Sequence, residues 1–247
     1  MAEGRIVVSE LTKRFGADTV VDHLSFTAEP GRVTCFLGPN GAGKTTTLKM
    51  LLNLTRPTSG TATIGGITFT EMAEPLRSVG VVLESAGAHP GRTGRDHLRV
   101  VAATMGLPDT RVDEVLDSVG LTTAARRRAG RYSQGMRQRL GIATALLGDP
   151  ATLIFDEPTN GLDPAGVHWV RGRLRALADE GRTVLVSSHL LTEMEMLADD
   201  VVIIAAGRLV TQGPLDAVLD AAPAPDSRAK PGLESVFLHL TQEAEVR

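Results

Sequence analysis

The chain has 247 residues, a formal net charge of −3, 42% hydrophobic residues and 22% charged residues. This globular composition argues against disorder, and the slightly negative charge argues against a general affinity for nucleic acid or anionic lipid. The one cysteine, Cys35, allows no internal disulfide, which suits a reducing compartment, and we expect it to be a small buried hydrophobe. A signal peptide and an apolar run of the ~18–20 residues that a membrane span needs are both missing, so we expect a cytosolic chain.

The first third of the chain is predicted to form short β-strands, because Val, Ile, Thr and Phe alternate there between Gly and Pro residues. The segments are RIVVSEL, VVDHLSFTAEPG, RVTCFLG, GTATIGG and VGVVLE. From about Gly94 to Leu147, apolar residues recur at three- and four-residue spacing, which predicts helices. One of these, DTRVDEVLDSVG, is expected to begin with Asp109 as its N-cap and to close at Gly120.

The second half alternates apolar strands with helices. We predict strands in ATLIF, TVLVSS and VVIIAAG, and helices in PAGVHWVRGRLRALADEG and LLTEMEMLADD. Buried strands that alternate with helices predict a parallel sheet covered on both faces. The main domain is expected to span residues 5–219, followed by a Pro/Ala linker at 220–232 and a short helix and tail at 233–247.

A phosphate-binding loop is predicted at GPNGAGKTT, which fits the pattern G-x-x-x-x-G-K-[ST] between a strand and a helix. Glycines let backbone N–H groups wrap around phosphate oxygens at a positive helix end. Lys44 is expected to lie over the β and γ phosphates, and the Thr45 hydroxyl is suited to Mg²⁺. The expected nucleotide contacts are Gly38, Pro39, Asn40, Gly41, Ala42, Gly43, Lys44, Thr45 and Thr46.

An acid pair follows the predicted strand in LIFDEP. Asp156 is placed to hold the water shell of Mg²⁺ beside Thr45. Glu157 is placed to orient and polarise the attacking water, a role that contributes about 10²–10⁴ in rate. The sequence therefore predicts an ATP-hydrolysing site with Lys44, Glu157 and His189 as its catalytic residues, where His189 is assigned from the resemblance described next.

The chain resembles the ATP-binding subunit of ABC transporters from about Val7 to Gly213. The resemblance rests on these motifs and on RYSQGMRQRL, NGLDP and VSSHL, which follow one another in the order typical of that family. The resemblance implies an α/β fold of the P-loop NTPase type. It has a mostly parallel core sheet, an antiparallel β subdomain and an α-helical subdomain inserted at about residues 86–148. It also implies ATP and Mg²⁺ as ligands.

The segment Tyr132–Met136 resembles the family's signature loop, usually LSGGQ. In the family this loop caps the γ-phosphate that the partner's phosphate loop holds, so Ser133 and Gly135 are expected to act across a head-to-tail homodimer or heterodimer. A simpler interpretation makes Ser133 a helix N-cap, and both roles are compatible. Gln134 and Met136 depart from the usual glycine and glutamine.

Further residues take roles from the resemblance alone. Asp163 is expected to reach across the dimer, and His189 to contact the γ-phosphate, although a lone histidine after a strand is more often a structural hydrogen-bonding group. Phe15 is expected to stack on adenine, with a core aromatic as the simpler alternative. Glu84 stands where the family commonly has glutamine and is expected to contact the metal, with altered metal dependence.

The function expected from the resemblance is an ATPase subunit that powers a transporter exporting drugs, antibiotics or peptides. It would bind a separate integral-membrane permease and lie at the inner face of the cell membrane. Two alternatives remain: a soluble ATPase of the same superfamily that acts on ribosomes or DNA, and an ATP-dependent clamp that does not hydrolyse. The run ARRRAGR is interpreted as a solvated surface, and no nucleic-acid partner is expected.

Overall fold

The computed structural model describes residues 4–83, 87–221 and 232–245 of the chain. Its first two strands, β1 (Ile6–Phe15) and β2 (Asp18–Ala28), form an antiparallel hairpin. Strand β4 (Ser59–Ile64) pairs antiparallel with the other edge of β1 and completes a three-stranded sheet in the order β2-β1-β4. The inward residues of these strands are apolar, so one face of the sheet is available for packing.

The second sheet forms the centre of the molecule. Its six strands are ordered β5-β6-β7-β3-β8-β9, and every neighbouring pair is parallel except the last. The strands are β3 (Val33–Leu37), β5 (Val79–Val82), β6 (Thr152–Asp156), β7 (Thr183–Ser188), β8 (Asp200–Ala205) and β9 (Arg208–Pro214). All residues of β3, β6 and β7 are buried, as expected for central strands covered on both faces.

Helices cover both faces of this sheet. They are α1 (Lys44–Leu51), α2 (Pro75–Ser78), α3 (Gly94–Thr104), α4 (Asp109–Ser118), α5 (Gln134–Leu146), α6 (Pro164–Asp179), α7 (Leu191–Glu195), α8 (Leu215–Ala221) and α9 (Leu233–Glu245). Helices α3, α4 and α5 lie in sequence between β5 and β6 and pack on one another. Within the described ranges, every helix is too short or too polar to cross a membrane.

Alternating side chains of the central strands divide the hydrophobic core in two. On β3, Phe36 packs with α1 and the antiparallel sheet, and its ring stacks on Phe26 with 5.1 Å between centroids. Cys35 and Leu37 face the opposite core, which includes α3 to α6 and α9. Burial raises the pKa of the Cys35 thiol far above its usual value, so it behaves as the small hydrophobe that was expected. The mostly parallel sheet, the antiparallel sheet and the inserted helices confirm the predicted fold class.

Three details differ from the sequence expectations. The helix containing Asp109 is capped by Pro108, and Asp109 is its first residue, where the carboxylate pairs with Arg99 at 3.0 Å. Helix α7 is much shorter than LLTEMEMLADD, because the Asp199 backbone N–H and side chain bind β3 and end the helical path. Strand β9 and helix α8 were not predicted, since the β9 edge strand is largely exposed and lacks an apolar alternation.

The predicted linker at residues 220–232 lies mostly outside the described residues, apart from its ends. The predicted helix after it corresponds to α9, whose first backbone N–H, on Leu233, donates to Glu195 Oε2 at 2.9 Å. This hydrogen bond attaches the start of α9 to the end of α7. The proposed division of the chain into domains stays a prediction.

Candidate functional site

The loop GPNGAGKTT connects β3 to α1 at the carboxyl end of the central sheet. Its shape requires glycine at two positions where the backbone passes close to other strands. A Cβ at Gly43 would lie 2.7 Å from the Val20 carbonyl oxygen, and φ there is +98°. A Cβ at Gly38 would lie 2.7 Å from the Ile204 carbonyl oxygen. The loop is therefore held tightly between β2 and β8.

Lys44 is the first residue of α1 and only 8% exposed. Its Nζ donates to the carbonyl oxygens of Gly38, at 2.6 Å, and Pro39, at 3.2 Å. Burial lowers the pKa of Lys44, and the nearby charges of Glu157 and Asp156 oppose this effect. The ammonium group thus lies inside the curve of the loop, among two carboxylates and several backbone dipoles.

Asp156 ends β6 beside β7, and it is 2% exposed. The Thr45 hydroxyl donates to Asp156 Oδ2 at 3.0 Å, and the Ser187 hydroxyl donates to Oδ1 at 2.5 Å. Both carboxylate oxygens are thus held by side chains from the adjoining elements. A hydroxyl next to a fixed carboxylate is the oxygen donor set that Mg²⁺ prefers, so the residues present fit this ion.

Glu157 has a positive φ of 51°, which turns its side chain away from that of Asp156. Its backbone N–H donates to the Ser187 carbonyl oxygen at 3.1 Å, which holds this unusual conformation. Glu157 Oε2 lies 2.8 Å from Nδ1 of His189. The Glu157 side chain is 11% exposed and that of His189 is 46% exposed. The pair therefore extends from the protein interior to the solvent-exposed side of the phosphate-binding loop.

These groups enclose a cavity of about 360 Å³. Its lining consists of Val20, Asn40, Gly41, Ala42, Gly43, Lys44, Thr45, Thr46, Glu157, Asn160 and His189. The structure therefore brings together most of the predicted loop residues with two of the predicted catalytic side chains from β6 and β7. Gly38 and Pro39 contribute through their carbonyl groups, which bind Lys44.

Three residues of this site were not singled out from the sequence. Val20 reaches the cavity from β2, and no local motif indicated it. Asn160 follows the acid pair in DEPTNGLDP, and Ser187 precedes His189 in VSSHL. The polar character of these last two at strand ends was the available signal, because such residues meet at one edge of a parallel sheet.

The predicted signature loop lies elsewhere. Ser133 is the N-cap of α5, and its Oγ accepts a hydrogen bond from the Met136 N–H at 3.2 Å. Gly135 has open space where a Cβ would lie. Neither residue lines the phosphate-loop cavity within the described part of the chain. The N-cap interpretation of Ser133 is thus confirmed, and its role in phosphate binding stays a prediction.

Tyr132, the first residue of this loop, has a buried and hydrogen-bonded side chain. It is 3% exposed, and its hydroxyl donates to the Ala124 carbonyl oxygen at 2.8 Å. Burial raises the pKa of the Tyr132 phenol. A Cβ at Gly94 would lie 2.2 Å from the Tyr132 oxygen, so α3 approaches the ring at a position that only glycine permits.

A second cavity, of about 600 Å³, lies between α5 and the acid pair. Gln134 and Gln138 of α5 contribute to its walls, together with His97 of α3, Asp156 at the end of β6, and Glu157 directly after it. The side of the acid pair away from the phosphate loop is thus adjacent to the helix that carries Ser133.

Two further predicted site residues, Asp163 and Phe15, lie at the surface. Asp163 is the N-cap of α6 and accepts the Gly166 N–H at 2.8 Å. Phe15 is 52% exposed at the tip of the β1–β2 hairpin, with Lys13 Nζ 4.7 Å from its ring centroid. The alternative that Phe15 is a core aromatic is therefore wrong. Glu84 lies outside the described residues.

Comparison with known proteins agrees with this geometry. A family model described as "ABC transporter" matches residues 21–160. The bacitracin transport ATP-binding protein BcrA of Bacillus licheniformis is 45% identical over 214 residues, covering 85% of this chain and 70% of that protein. The lantibiotic transport ATP-binding protein SrtF of Streptococcus pyogenes is 35% identical over 209 residues, covering 85% of this chain and 90% of that protein. A solved structure of the ATP-binding subunit of an ABC transporter aligns with a TM-score of 0.84 at 28% identity, covering 96% of this chain and 99% of that one.

Proposed function

The chain belongs to the ABC transporter family as an ATP-binding subunit and is an ATPase; from this premise we propose that two copies, or one copy and a close relative, form a head-to-tail dimer with two shared ATP sites. Each site would combine the phosphate-loop cavity of one chain with the Ser133 loop of the other. One observation supports this proposal: the loop residues, Lys44, Glu157 and His189 of one chain line a single cavity, while Ser133 and Gly135 lie outside it.

In this proposal the cavity binds and positions a nucleoside triphosphate without help from the partner chain. The loop N–H groups and the start of α1 would bind phosphate oxygens, and Lys44 would exchange its carbonyl partners for the β and γ phosphates. Thr45 and Asp156 would hold Mg²⁺, which when bound neutralises charge on the phosphates. Phe15, exposed on the hairpin whose Val20 lines the cavity, would offer its ring face to adenine.

Hydrolysis would use Glu157 and His189. The Glu157 carboxylate orients the attacking water and accepts a proton from it, and His189, 2.8 Å from that carboxylate, contacts the γ-phosphate from the exposed side. The strained φ of Glu157 directs its side chain into the cavity while Asp156 stays with Thr45. The two adjacent acids can therefore serve different tasks.

The second chain would supply the groups that complete the site. Ser133 Oγ and the first N–H groups of α5 form a phosphate-binding helix N-terminus, suited to negative charge that develops on the γ-phosphate. Asp163 caps the neighbouring helix α6 and would reach across the same interface. Binding of ATP would thus close the dimer, and hydrolysis would release it.

Transport itself would require a separate integral-membrane permease, at the inner face of the cell membrane. Relatives are named for transport of bacitracin and lantibiotics and for Nod factor export. These names support export of a drug, an antibiotic or a peptide as the work that this ATPase drives. Gentle detergent extraction of the tagged chain from its host tests this directly. We expect a multi-span membrane protein in stable ratio, whereas ribosomes, DNA or no membrane protein would contradict the transport role.

The substitution Glu157→Gln tests the dimer and the catalytic base together. It keeps the size of the side chain and removes its basicity, so turnover is expected to fall about 100-fold or more while ATP affinity is retained. ATP should then accumulate a dimer, measured by light scattering during size-exclusion chromatography. Glu114→Gln, on the exposed side of α4, is the matched control and should behave as wild type. Undiminished hydrolysis would assign the base elsewhere, and a monomer at saturating ATP would refute the shared sites.

A further inference from the structure

Helices α5 and α6 are joined by a stack between an arginine and the only tryptophan of the protein. The guanidinium carbon of Arg139, on α5, lies 4.3 Å from the ring centroid of Trp169, on α6. Trp169 is itself partly buried against the larger hydrophobic core. In the described part of the chain, Arg139 has no carboxylate partner, so the ring face is a principal partner of its charge.

Arg139 is fixed from a second direction. Its Nη1 donates to the Val119 carbonyl oxygen at 3.2 Å, at the C-terminal end of α4, where helix dipoles favour a cation. A Cβ at Gly120 would lie 3.1 Å from the same nitrogen, so the chain passes closely over the guanidinium. The Arg139 side chain therefore has little freedom to leave the indole.

The stack lies at equivalent positions on the two helices. Arg139 is six residues after Ser133, the N-cap of α5, and Trp169 is six residues after Asp163, the N-cap of α6. At 1.5 Å per residue, each N-cap is about 9 Å from the stack along its helix. Ser133 and Asp163, which are proposed to act on the partner's ATP, thus lie at the same distance from the Arg139–Trp169 contact, each along its own helix.

Near the N-termini of the two helices, Gln134, the first residue of α5, and Gly161, two residues before Asp163, line the same cavity. The contact between Arg139 and Trp169 links the two helices beyond this cavity. This link matters because α5 packs mainly on β5, α4 and α3, whereas α6 packs on β7 and β3.

We propose that Arg139 and Trp169 are a positioning pair that fixes Ser133 and Asp163 relative to each other, so that both meet the partner's site together. The inference rests on the proposed shared-site dimer. Without the stack, α5 and α6 would still fold, but their N-termini would vary in relative position. Closing the dimer would then require an ordering step, and ATP-driven association would weaken.

The experiment compares four variants in the Glu157→Gln background, in which the ATP-bound dimer is expected to accumulate. Arg139→Ala and Trp169→Leu remove the stack, whereas Arg139→Lys and Trp169→Phe keep a cation or a ring. Arg99→Ala, on the surface of α3 and paired with Asp109, is the matched control. The measurements are ATP binding below the dimerisation concentration, the dimer dissociation constant at saturating ATP, and thermal stability.

We expect Arg139→Ala and Trp169→Leu to raise the dimer dissociation constant about tenfold, with the two conservative variants within about threefold of the parent. Binding of ATP to the monomer should be unchanged in all four. In Arg139→Ala, emission of Trp169 should shift to longer wavelength as the indole becomes more exposed, while Arg99→Ala leaves it in place.

An unchanged dimer constant in Arg139→Ala, with the emission shift present, would overturn the positioning role and leave the dimer intact as a proposal. The positioning role would also be overturned if Arg139→Ala and Arg139→Lys both lost monomer ATP binding, or both failed to fold. The contact between Arg139 and Trp169 would then be a general structural contact. If the Glu157→Gln parent itself fails to dimerise with ATP, the shared-site function and the positioning role are both refuted.

Discussion

The phosphate-loop cavity and the Ser133 loop differ in how they are built. The cavity is formed where strands of the central sheet end. Lys44, in its lining, is 8% exposed, and Asp156, which accepts a hydrogen bond from the lining residue Thr45, is 2% exposed. The Ser133 loop is the N-terminal end of a single helix, and the side chain of Ser133 binds only the Met136 N–H of its own turn. One region is assembled within the chain, and the other presents groups outward.

This difference indicates which half of the site each residue serves. Residues at the carboxyl ends of parallel strands meet because the sheet places them together. Lys44 and Glu157 line one cavity, and Asp156 is hydrogen-bonded to Thr45 beside it. In the proposed site these three residues act on one bound phosphate group. Ser133 and Asp163 are N-caps whose helices end at the surface. In the proposed dimer, the partner chain supplies the phosphate that these side chains meet.

Mixing experiments with inactive chains give the largest expected effect. Lys44→Ala removes the phosphate-loop cation, and Ser133→Glu places a carboxylate against the partner's γ-phosphate, so each homodimer is expected to lose nearly all turnover. In an equal mixture, half of the dimers are mixed and each mixed dimer keeps one intact shared site. Activity should therefore recover to about a quarter of wild type, measured as phosphate release.

A second mixture tests which residues belong to the same half. Lys44→Ala combined with Glu157→Gln should recover no activity, because the cavity of one chain lacks its lysine and the cavity of the other lacks its base. Recovery in this pair would place Glu157 in the partner's site instead. No recovery in the Lys44→Ala and Ser133→Glu mixture, with dimers present, would show that Ser133 serves its own chain.

The sequence predicted the self-contained half well, because its residues occur in short runs with fixed spacing. The loop from Gly38 to Thr46 and the acid pair after β6 follow local patterns, and the strand-to-helix context was visible in hydrophobicity alone. Recognition of the family, and with it the fold class, was confirmed by the comparisons. Val20 could not be predicted in this way, since it reaches the cavity from β2 only through tertiary packing.

The outward-facing half depended on the resemblance rather than on residue chemistry. The local pattern indicated Ser133 as a helix cap, whereas Asp163 had a role from the resemblance alone, and within the chain both residues are helix N-caps. The contact between Arg139 and Trp169 joins residues 30 positions apart on two helices, and no periodicity indicates it. Edge elements such as β9 were missed for a related reason: exposed strands lack the apolar alternation that identifies buried ones.

The support beneath the Ser133 loop provides an intermediate effect. Tyr132→Phe removes the hydroxyl that donates to the Ala124 carbonyl oxygen, which keeps the Arg127 N–H as its second donor, so the free energy of unfolding should fall by about 0.5–1.5 kcal/mol. ATP binding to the monomer should not change. Calorimetric unfolding and equilibrium dialysis measure the two quantities, and a loss of monomer ATP binding would contradict the separation of the two regions.

The contact between α3 and Tyr132 sharpens this test. A Cβ at Gly94 would lie 2.2 Å from the Tyr132 oxygen, so Gly94→Ala should be more destabilising than Tyr132→Phe. In the double variant the hydroxyl is absent, and part of the loss should be recovered, giving a favourable coupling of about 1 kcal/mol. Simple additivity in this double-mutant cycle would show that α3 moves away from the ring at little cost.

The smallest effect concerns His97, whose Nε2 lies 3.2 Å from Thr144 Oγ1 on α5 and whose Nδ1 is buried without a hydrogen-bond partner among the described residues. Burial, and then the charge of Arg92, lower the pKa of His97 below its usual value of 6.5. The unfolded chain therefore takes up this proton first as the pH falls, and the folded state loses stability from about pH 6.5 down to the lowered pKa. The slope of the free energy of unfolding against pH that one group causes cannot exceed about 1.4 kcal/mol per pH unit.

Plots of the free energy of unfolding against pH for wild type and His97→Gln should diverge below pH 6.5 and run parallel above it. Plots that are parallel throughout would contradict the lowered pKa. Because His97 lies on the α5 side of the acid pair, ATP binding to the monomer should show the same pH dependence in both proteins, which separates the two regions once more.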